Sequence, residues 1–271
     1  EMVDSRLKLG QCTALFSATL SPPSYYKTVL GCDNPQEVTH SYALPSPFDP
    51  QNLCLLICPQ INSRWAAREE SLVPIARLLF AMVSAKSGNY LAYFPSYQYL
   101  QMEAETFSKL YPQVELLLQS PEMDDSQREQ FLRRFDNPHP DAPLLAFAVL
   151  GGIYSEGVDL KGEKLLGSAI IGTGLPKVGA QQEILRDYYQ EKNQVGYDFA
   201  YRYPGMNKVL QAAGRVIRSD SDRGVVMLLD DRFAAPSYRR LFPAHWAQAR
   251  CIFSEEELEA QLADFWGTSP R

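Results

Sequence analysis

Seven short apolar runs punctuate this chain and constrain its fold more than any other feature. They are CTALFS (12–17), LCLLIC (53–58), YLAYF (90–94), VELLL (114–118), LLAFAVL (144–150), SAIIG (168–172) and VVMLL (225–229). Most are near-continuous rather than alternating, which is how strands covered on both faces of a parallel sheet read. Between them, residues 69–85 and 97–111 carry apolar side chains at helical spacing, and 126–134 is charged and amphipathic. Strands alternating with helices predict an α/β fold, a doubly wound parallel sheet with helices on both faces. In such folds ligands gather at the carboxyl ends of the strands. With 271 residues, 45% of them hydrophobic, the chain is long enough to bury a sizeable core.

Two stretches depart from a bare strand–helix alternation. Residues 176–207 form a long polar insertion, expected to be helical in part, and Pro45, Pro47 and Pro50 break the chain before the second run. Near the end, Ser254 followed by three glutamates (255–257) reads as a helix cap with an acidic first turn, the helix running to about Trp266. No apolar run approaches the roughly 18 residues of a membrane span. Residues 1–9 are polar and Met2 is not the first residue, so the chain is expected to be a piece of a longer protein. The cysteines Cys12, Cys32, Cys54, Cys58 and Cys251 are odd in number and form no CxxC pair, which suits reduced thiols in a cytoplasmic protein. Cys54 and Cys58 read as small core residues, and His40, His139 and His245 show no ligand-like spacing, so no metal site is expected. The net charge of -6 excludes a grip on nucleic acid by bulk electrostatics. Any such contact must be a local track of amides, hydroxyls and a few cations.

Four motifs can carry chemistry. In QAAGRVIRSDSDRG (211–224), Arg215 and Arg218 stand three apart, so on a helix they share a face and point at one target. Gly214 before them lets another surface approach. A pair of guanidiniums suits a triphosphate, where arginine stabilises the charge spreading over the γ-phosphoryl oxygens. The same spacing fits a solvated basic helix face capped by Asp220 and Asp222. In GGIYSEGVDLKG (151–162), a glycine-rich loop leaves a buried strand and carries Ser155, Glu156 and Asp159. Its amides can hold phosphate and its carboxylates can orient partners, or it is an ordinary turn. In YFPSYQYL (93–100), Ser96 and Tyr97 can bond or stack on a nucleic-acid strand, or they cap a helix. In LFSATLSP (15–22), Ser17, Thr19 and Ser21 form a hydroxyl relay or a plain turn.

The order of these motifs, with SPF (46–48) between the first two and LLDDRF (228–233) closing the series, resembles the serial motifs of the XPD/DinG helicase family of superfamily 2. The resemblance covers residues 11 to 235. It implies a RecA-like second motor lobe that closes over ATP held mainly by a first lobe. On that resemblance Arg215 and Arg218 are the arginines that reach the γ-phosphate, with Gln211 and Gly214 in the same nucleotide-binding motif. Glu156, Gly157 and Asp159 link the nucleotide cleft to DNA. Ser96, Tyr97, Gly152 and Ser155 lie on the DNA track, and Ser17 and Thr19 at the seam between lobes. The chain then divides into a seam segment (1–22), a RecA-like domain (23–252) and a C-terminal helix and tail (253–271).

The absences complete the expectation. There is no GxxxxGK[ST] loop; GSAIIGT (167–173) lacks the lysine and sits in a strand pattern. There is no DEAH-like pair for magnesium. ATP and Mg2+ are therefore expected to be bound mainly by the first lobe, and the family's iron–sulfur cluster to lie there too. The isolated chain should hydrolyse no ATP, and residues 1 to about 20, if they complete the first lobe's sheet, should not pair within this one. The whole is expected to be a 5′ to 3′ DNA helicase of repair or replication acting on single-stranded DNA, with the first lobe as its partner and no membrane. The alternative is a non-motor RecA-like interaction or regulatory module; an appended nuclease activity finds no clustered carboxylates here.

Overall fold

Six of the seven apolar runs pair into one sheet. The computed structural model describes residues 5–6, 9–32, 38–138, 142–154, 160 and 162–268. Its strands are β1 (Leu53–Ile57), β2 (Asn89–Phe94), β3 (Glu115–Leu118), β4 (Leu144–Val149), β5 (Gly167–Ile171), β6 (Gly224–Leu229) and β7 (Arg250–Cys251). They lie in the order β3-β4-β2-β5-β6-β1-β7, and every pairing is parallel. β7 is only two residues long and left no trace in the apolar pattern.

Successive residues of one strand feed opposite faces, and both faces are covered. Leu56, Tyr90, Ala92, Phe94, Phe147, Val225 and Met227 face α2 (Arg68–Ala85), α3 (Tyr97–Leu110) and the C-terminal α8 (Glu255–Trp266). Leu55, Ile57, Leu91, Tyr93, Ala146, Ile170, Val226 and Leu228 face α4 (Asp125–Arg133), α6 (Tyr203–Ala213) and the segment around α7 (Pro236–Arg239). Two buried faces leave few strand positions for polar side chains (Asn89 and Ser168 are buried exceptions), which is why the runs do not alternate. The helices begin where local chemistry predicts. Ser96 caps α3 by accepting from Tyr99 N–H (3.3 Å), Asp124 forms a capping box with Gln127 on α4, and Ser254 accepts from Glu257 N–H on α8 (3.2 Å).

The polar stretch 176–207 folds as α5 (Ala180–Asn193), a π turn (Asp198–Arg202) and the start of α6. Here α6 crosses the chain leaving β5. A Cβ on Gly205 would lie 2.6 Å from the Thr173 carbonyl oxygen, and one on Gly174 2.5 Å from the Gly205 carbonyl oxygen. Two glycines thus let two backbones touch. Tyr25 of α1 (Pro23–Leu30) packs edge-on against Phe199 and Tyr203, and Asn207 Nδ2 donates to Tyr26 Oη (2.6 Å).

One strand expectation fails. Residues 12–17 form no strand, and Leu15 and Phe16 are 47% and 93% exposed. The run is apolar enough for a strand, but no edge of this sheet receives it. GSAIIGT is indeed strand and strand end, with Gly167 against the Val225 carbonyl rather than a phosphate cradle.

Candidate functional site

The arginine motif is placed by a turn, not by a helix. α6 ends at Ala213, so Arg215 and Arg218 do not share a helix face as their spacing predicted. Asp222 organises the turn that carries them. Its buried carboxylate accepts from the N–H groups of Arg218 (2.7 Å) and Ser219 (2.8 Å), from the Ser219 hydroxyl (2.6 Å) and from Gly162 N–H (3.2 Å). Burial alone would raise its pKa, but these donors outweigh that and hold it below the ordinary carboxylate value. Asp222 was legible only as a surface cap; it is instead a buried clamp between the arginine turn and the end of the glycine-rich loop. Gly214 has an ordinary negative φ, and an added Cβ would meet only the carbonyl oxygens of Leu210 (3.2 Å) and Gln211 (3.7 Å). Its outer side is open to an approaching surface. Gln211 is half-buried in the last turn of α6.

Both guanidiniums bear on one buried group, Tyr93 of β2. Burial raises the Tyr93 phenol well above its usual pKa, while Arg215 and Arg218 pull it back. The Tyr93 hydroxyl donates to the Tyr154 carbonyl (3.0 Å). A single side chain therefore touches the glycine-rich segment, senses the arginine turn and stands two residues before Pro95. Sequence reasoning treats it as a core aromatic.

The glycine-rich loop leaves β4 through Gly151, whose φ of +79 is a left-handed conformation that glycine adopts without strain. A Cβ there would lie 2.8 Å from Lys208 Cδ, so the lysine stem of α6 lies across the turn. Ser155, Glu156, Gly157 and Asp159 lie outside the described residues.

Tyr97 and Gly152, expected to share the DNA track, line one cleft of about 140 Å3 with Gln119, Ser120, Met123, Arg128 and Tyr154. Gln119, absent from the sequence reading, sets its floor. Its side chain donates to Tyr97 Oη (2.9 Å) and accepts from Val149 N–H (2.8 Å), and its backbone N–H extends the ladder to Phe147 O (2.9 Å). Ser96 is engaged as a helix cap and also accepts from Arg68 Nη1 (3.4 Å). In the LLDDRF segment, Arg232 Nε bonds buried Asp230 (2.6 Å), which also accepts from the Ser63 hydroxyl. Burial would raise the Asp230 pKa, but Arg232 and Ser63 leave it lowered. Ser17 and Thr19 bond to each other, through Thr19 N–H to Ser17 Oγ (3.2 Å) and the two hydroxyls at 3.4 Å.

Among the described residues, no three His, Cys, Asp or Glu side chains converge to hold a metal, and no helix is long and apolar enough to cross a membrane. Burial pushes the Cys54 and Cys58 thiols up to about 12, which makes them core groups rather than ligands.

The sequence matches the helicase C-terminal domain family over residues 79–249, more than half of the chain. The chain belongs to that family. The matched span carries the Tyr97–Gly152 cleft and the arginine turn. Relatives of this helicase domain include the ATP-dependent DNA helicase chl1 of Schizosaccharomyces pombe, 23% identical over 260 residues (86% of this chain, 30% of the relative). The ATP-dependent DNA helicase YoaA of Escherichia coli is 27% identical over 215 residues (77% of this chain, 31% of the relative). The helicase domain thus spans about a third of the length of these relatives. Among solved structures, an XPD helicase superposes with a TM-score of 0.63 at 19% identity, covering 87% of this chain and 42% of that one. Dbp5 of S. cerevisiae, bound to RNA and ADP BeF3, gives 0.53 at 9% identity over 98% of this chain and 57% of that one. These likenesses establish the RecA-like helicase fold, and the family makes the chain a helicase C-terminal domain.

Proposed function

We infer that this lobe is the C-terminal half of the motor in a longer ATP-dependent DNA helicase that moves 5′ to 3′ along single-stranded DNA in repair or replication. The observation that carries the reading is the meeting of two sites at the carboxyl ends of the strands. Asp222 ties the Arg218 turn to Gly162 at one end of the glycine-rich segment, and Gly152 and Tyr154 at its other end line the cleft with Tyr97. A motor needs that adjacency, because ATP binding at one site must alter the grip at the other.

On this reading Arg215 and Arg218 reach across to the γ-phosphate of an ATP held with Mg2+ by the first lobe, and stabilise the charge developing on the transferred group. Gln211 and Gly214 belong to the same nucleotide-binding motif, and the resemblance gives Glu156, Gly157 and Asp159 the role of linking nucleotide to strand. Ser17 and Thr19 belong to the seam with the first lobe. The family's iron–sulfur cluster belongs, on the same resemblance, to the first lobe of the longer, cytoplasmic protein.

The test is the single-strand-stimulated ATPase of the longer protein. Arg215→Ala and Arg218→Ala should each lower it about 10³-fold, the scale of a lost γ-phosphate arginine. Unchanged activity would favour a RecA-like binding module over a motor lobe.

A further inference from the structure

The helix that follows the leading segment is fastened to the domain through two adjacent tyrosines. None of the residues of α1 is fully buried. Tyr25 stands edge-on to Phe199 (5.0 Å between ring centroids) and to Tyr203 (5.3 Å), and half-buried Tyr26 accepts from Asn207 Nδ2 (2.6 Å). Phe199 packs in turn on Tyr189 of α5 at 4.4 Å. Asn207 is buried, and among the described residues its Oδ1 has no hydrogen-bond partner. An aliphatic side chain would fill this position without an orphaned acceptor, so packing does not account for an asparagine here. The bond to Tyr26 does.

The helix that carries Asn207 leads directly into the arginine motif. Tyr203, Asn207 and Gln211 are four residues apart on α6, so they follow one another along one side of it. Gln211 stands one turn beyond the Tyr26 contact, and α6 ends two residues later, where the arginine turn begins. Beside that contact α6 is pinned by Gly205 against the Thr173 carbonyl. Upstream, the π turn that carries Phe199 interrupts the regular helix geometry, a kind of bulge that recurs at functional sites. A movement of α1 is thus delivered to α6 between a yielding turn and the arginines.

We propose that Tyr26 and Asn207 form a latch through which the first lobe positions Gln211 and the arginine turn. The proposal rests on the reading of this lobe as a motor half: on that reading residues 1–22 belong to the seam, and α1 begins at Pro23 directly after them. When the first lobe engages the seam segment it fixes α1, Tyr26 holds Asn207, and α6 presents the arginines to the γ-phosphate. Tyr26 and Asn207 are positioning residues, which act on the rate of the closed motor and not on its affinity for nucleotide or strand.

The test is the steady-state ATPase of the longer protein at saturating single-stranded DNA, for Tyr26→Phe, Asn207→Ala and the double variant. Tyr26→Phe keeps the ring and removes the hydroxyl alone. Each single variant should lower kcat about three- to tenfold, the net worth of one hydrogen bond expressed as a rate, with the KM for ATP and the Kd for oligodeoxythymidine within about twofold of wild type. The double variant should be no slower than the slower single one, because both changes break the same bond. Lower Tm with unchanged kcat in both single variants, while Arg215→Ala is inactive, would make the bond merely structural and overturn the latch, leaving the motor reading standing. A change confined to the KM for ATP, or losses that multiply in the double variant, would overturn the latch as well. No strand-stimulated ATPase in the wild type would overturn both.

Discussion

Arg215 and Arg218 stand three residues apart, a spacing that aligns side chains only where the backbone is helical. Since α6 ends at Ala213, the turn is held instead by Asp222, which accepts from the backbone N–H groups of Arg218 and Ser219 and from Gly162 N–H. The motif was legible in sequence; its geometry was not, because a contact between residues 162 and 222 leaves no local pattern. Asp222→Ala would take the acceptor from the half-buried N–H groups of Arg218 and Ser219 and from the more exposed N–H of Gly162. At about 1–3 kcal/mol for each unsatisfied donor, partly relieved by water, the net loss should be roughly 2–4 kcal/mol. That is a fall in Tm on the order of 5–10 °C in a thermal melt at pH 7. The Asp222 carboxyl titrates below its unfolded value, so its contribution is fully present above that value and is lost as pH falls through the lower, folded one. The difference between wild type and Asp222→Ala should therefore shrink only in strong acid, below about pH 3.9.

At the scale of elements, the strands and most helices were legible because their signals are local: unbroken apolar runs, a serine or aspartate cap, a 3.6-residue period. Three things were not. The two residues of β7 are too short for a pattern, and their pairing with Leu56 and Ile57 is a product of tertiary structure. The run at 12–17 has a strand's composition and no partner strand in this sheet. The polar 176–207 segment hides a close crossing, since nothing in YPGMN announces that Gly205 must meet the Thr173 carbonyl. That crossing sets the height of α6, and α6 carries both Lys208, over the glycine-rich turn, and Gln211, before the arginines. Gly205→Ala would force a Cβ to within 2.6 Å of a backbone oxygen that no rotamer change can move. It should cost about 1–3 kcal/mol, as overpacking does, and the melt should show it as a clear loss of Tm. Gly179→Ala, where an added Cβ meets nothing within 4 Å, is the matched control and should change stability little.

Across the whole molecule, the chain carries a net charge of -6, and of its buried carboxyls Glu103, Asp198, Asp222 and Asp230 only the last three are hydrogen-bonded or ion-paired. Glu103 of α3 is fully buried on the face shared by α2 and α3, and neither of its oxygens has a hydrogen-bond partner. Burial pushes its pKa up to about 9, so the folded protein holds the acid neutral. The unfolded chain releases that proton near pH 4.3. Between these two values the unfolded state binds fewer protons than the folded one, so stability falls as pH rises, by at most about 1.4 kcal/mol per unit. The cost reaches the candidate site because α3 begins at Ser96 and Tyr97: loosening the helix loosens the wall of the cleft. Glu103→Gln keeps the shape and removes the titration. It should raise Tm by roughly 4–8 °C at pH 8 and by less than half of that at pH 5, and the variant's Tm should vary less with pH across that range. Equal gains at both pH values would mean that packing at residue 103, rather than its proton, sets the difference.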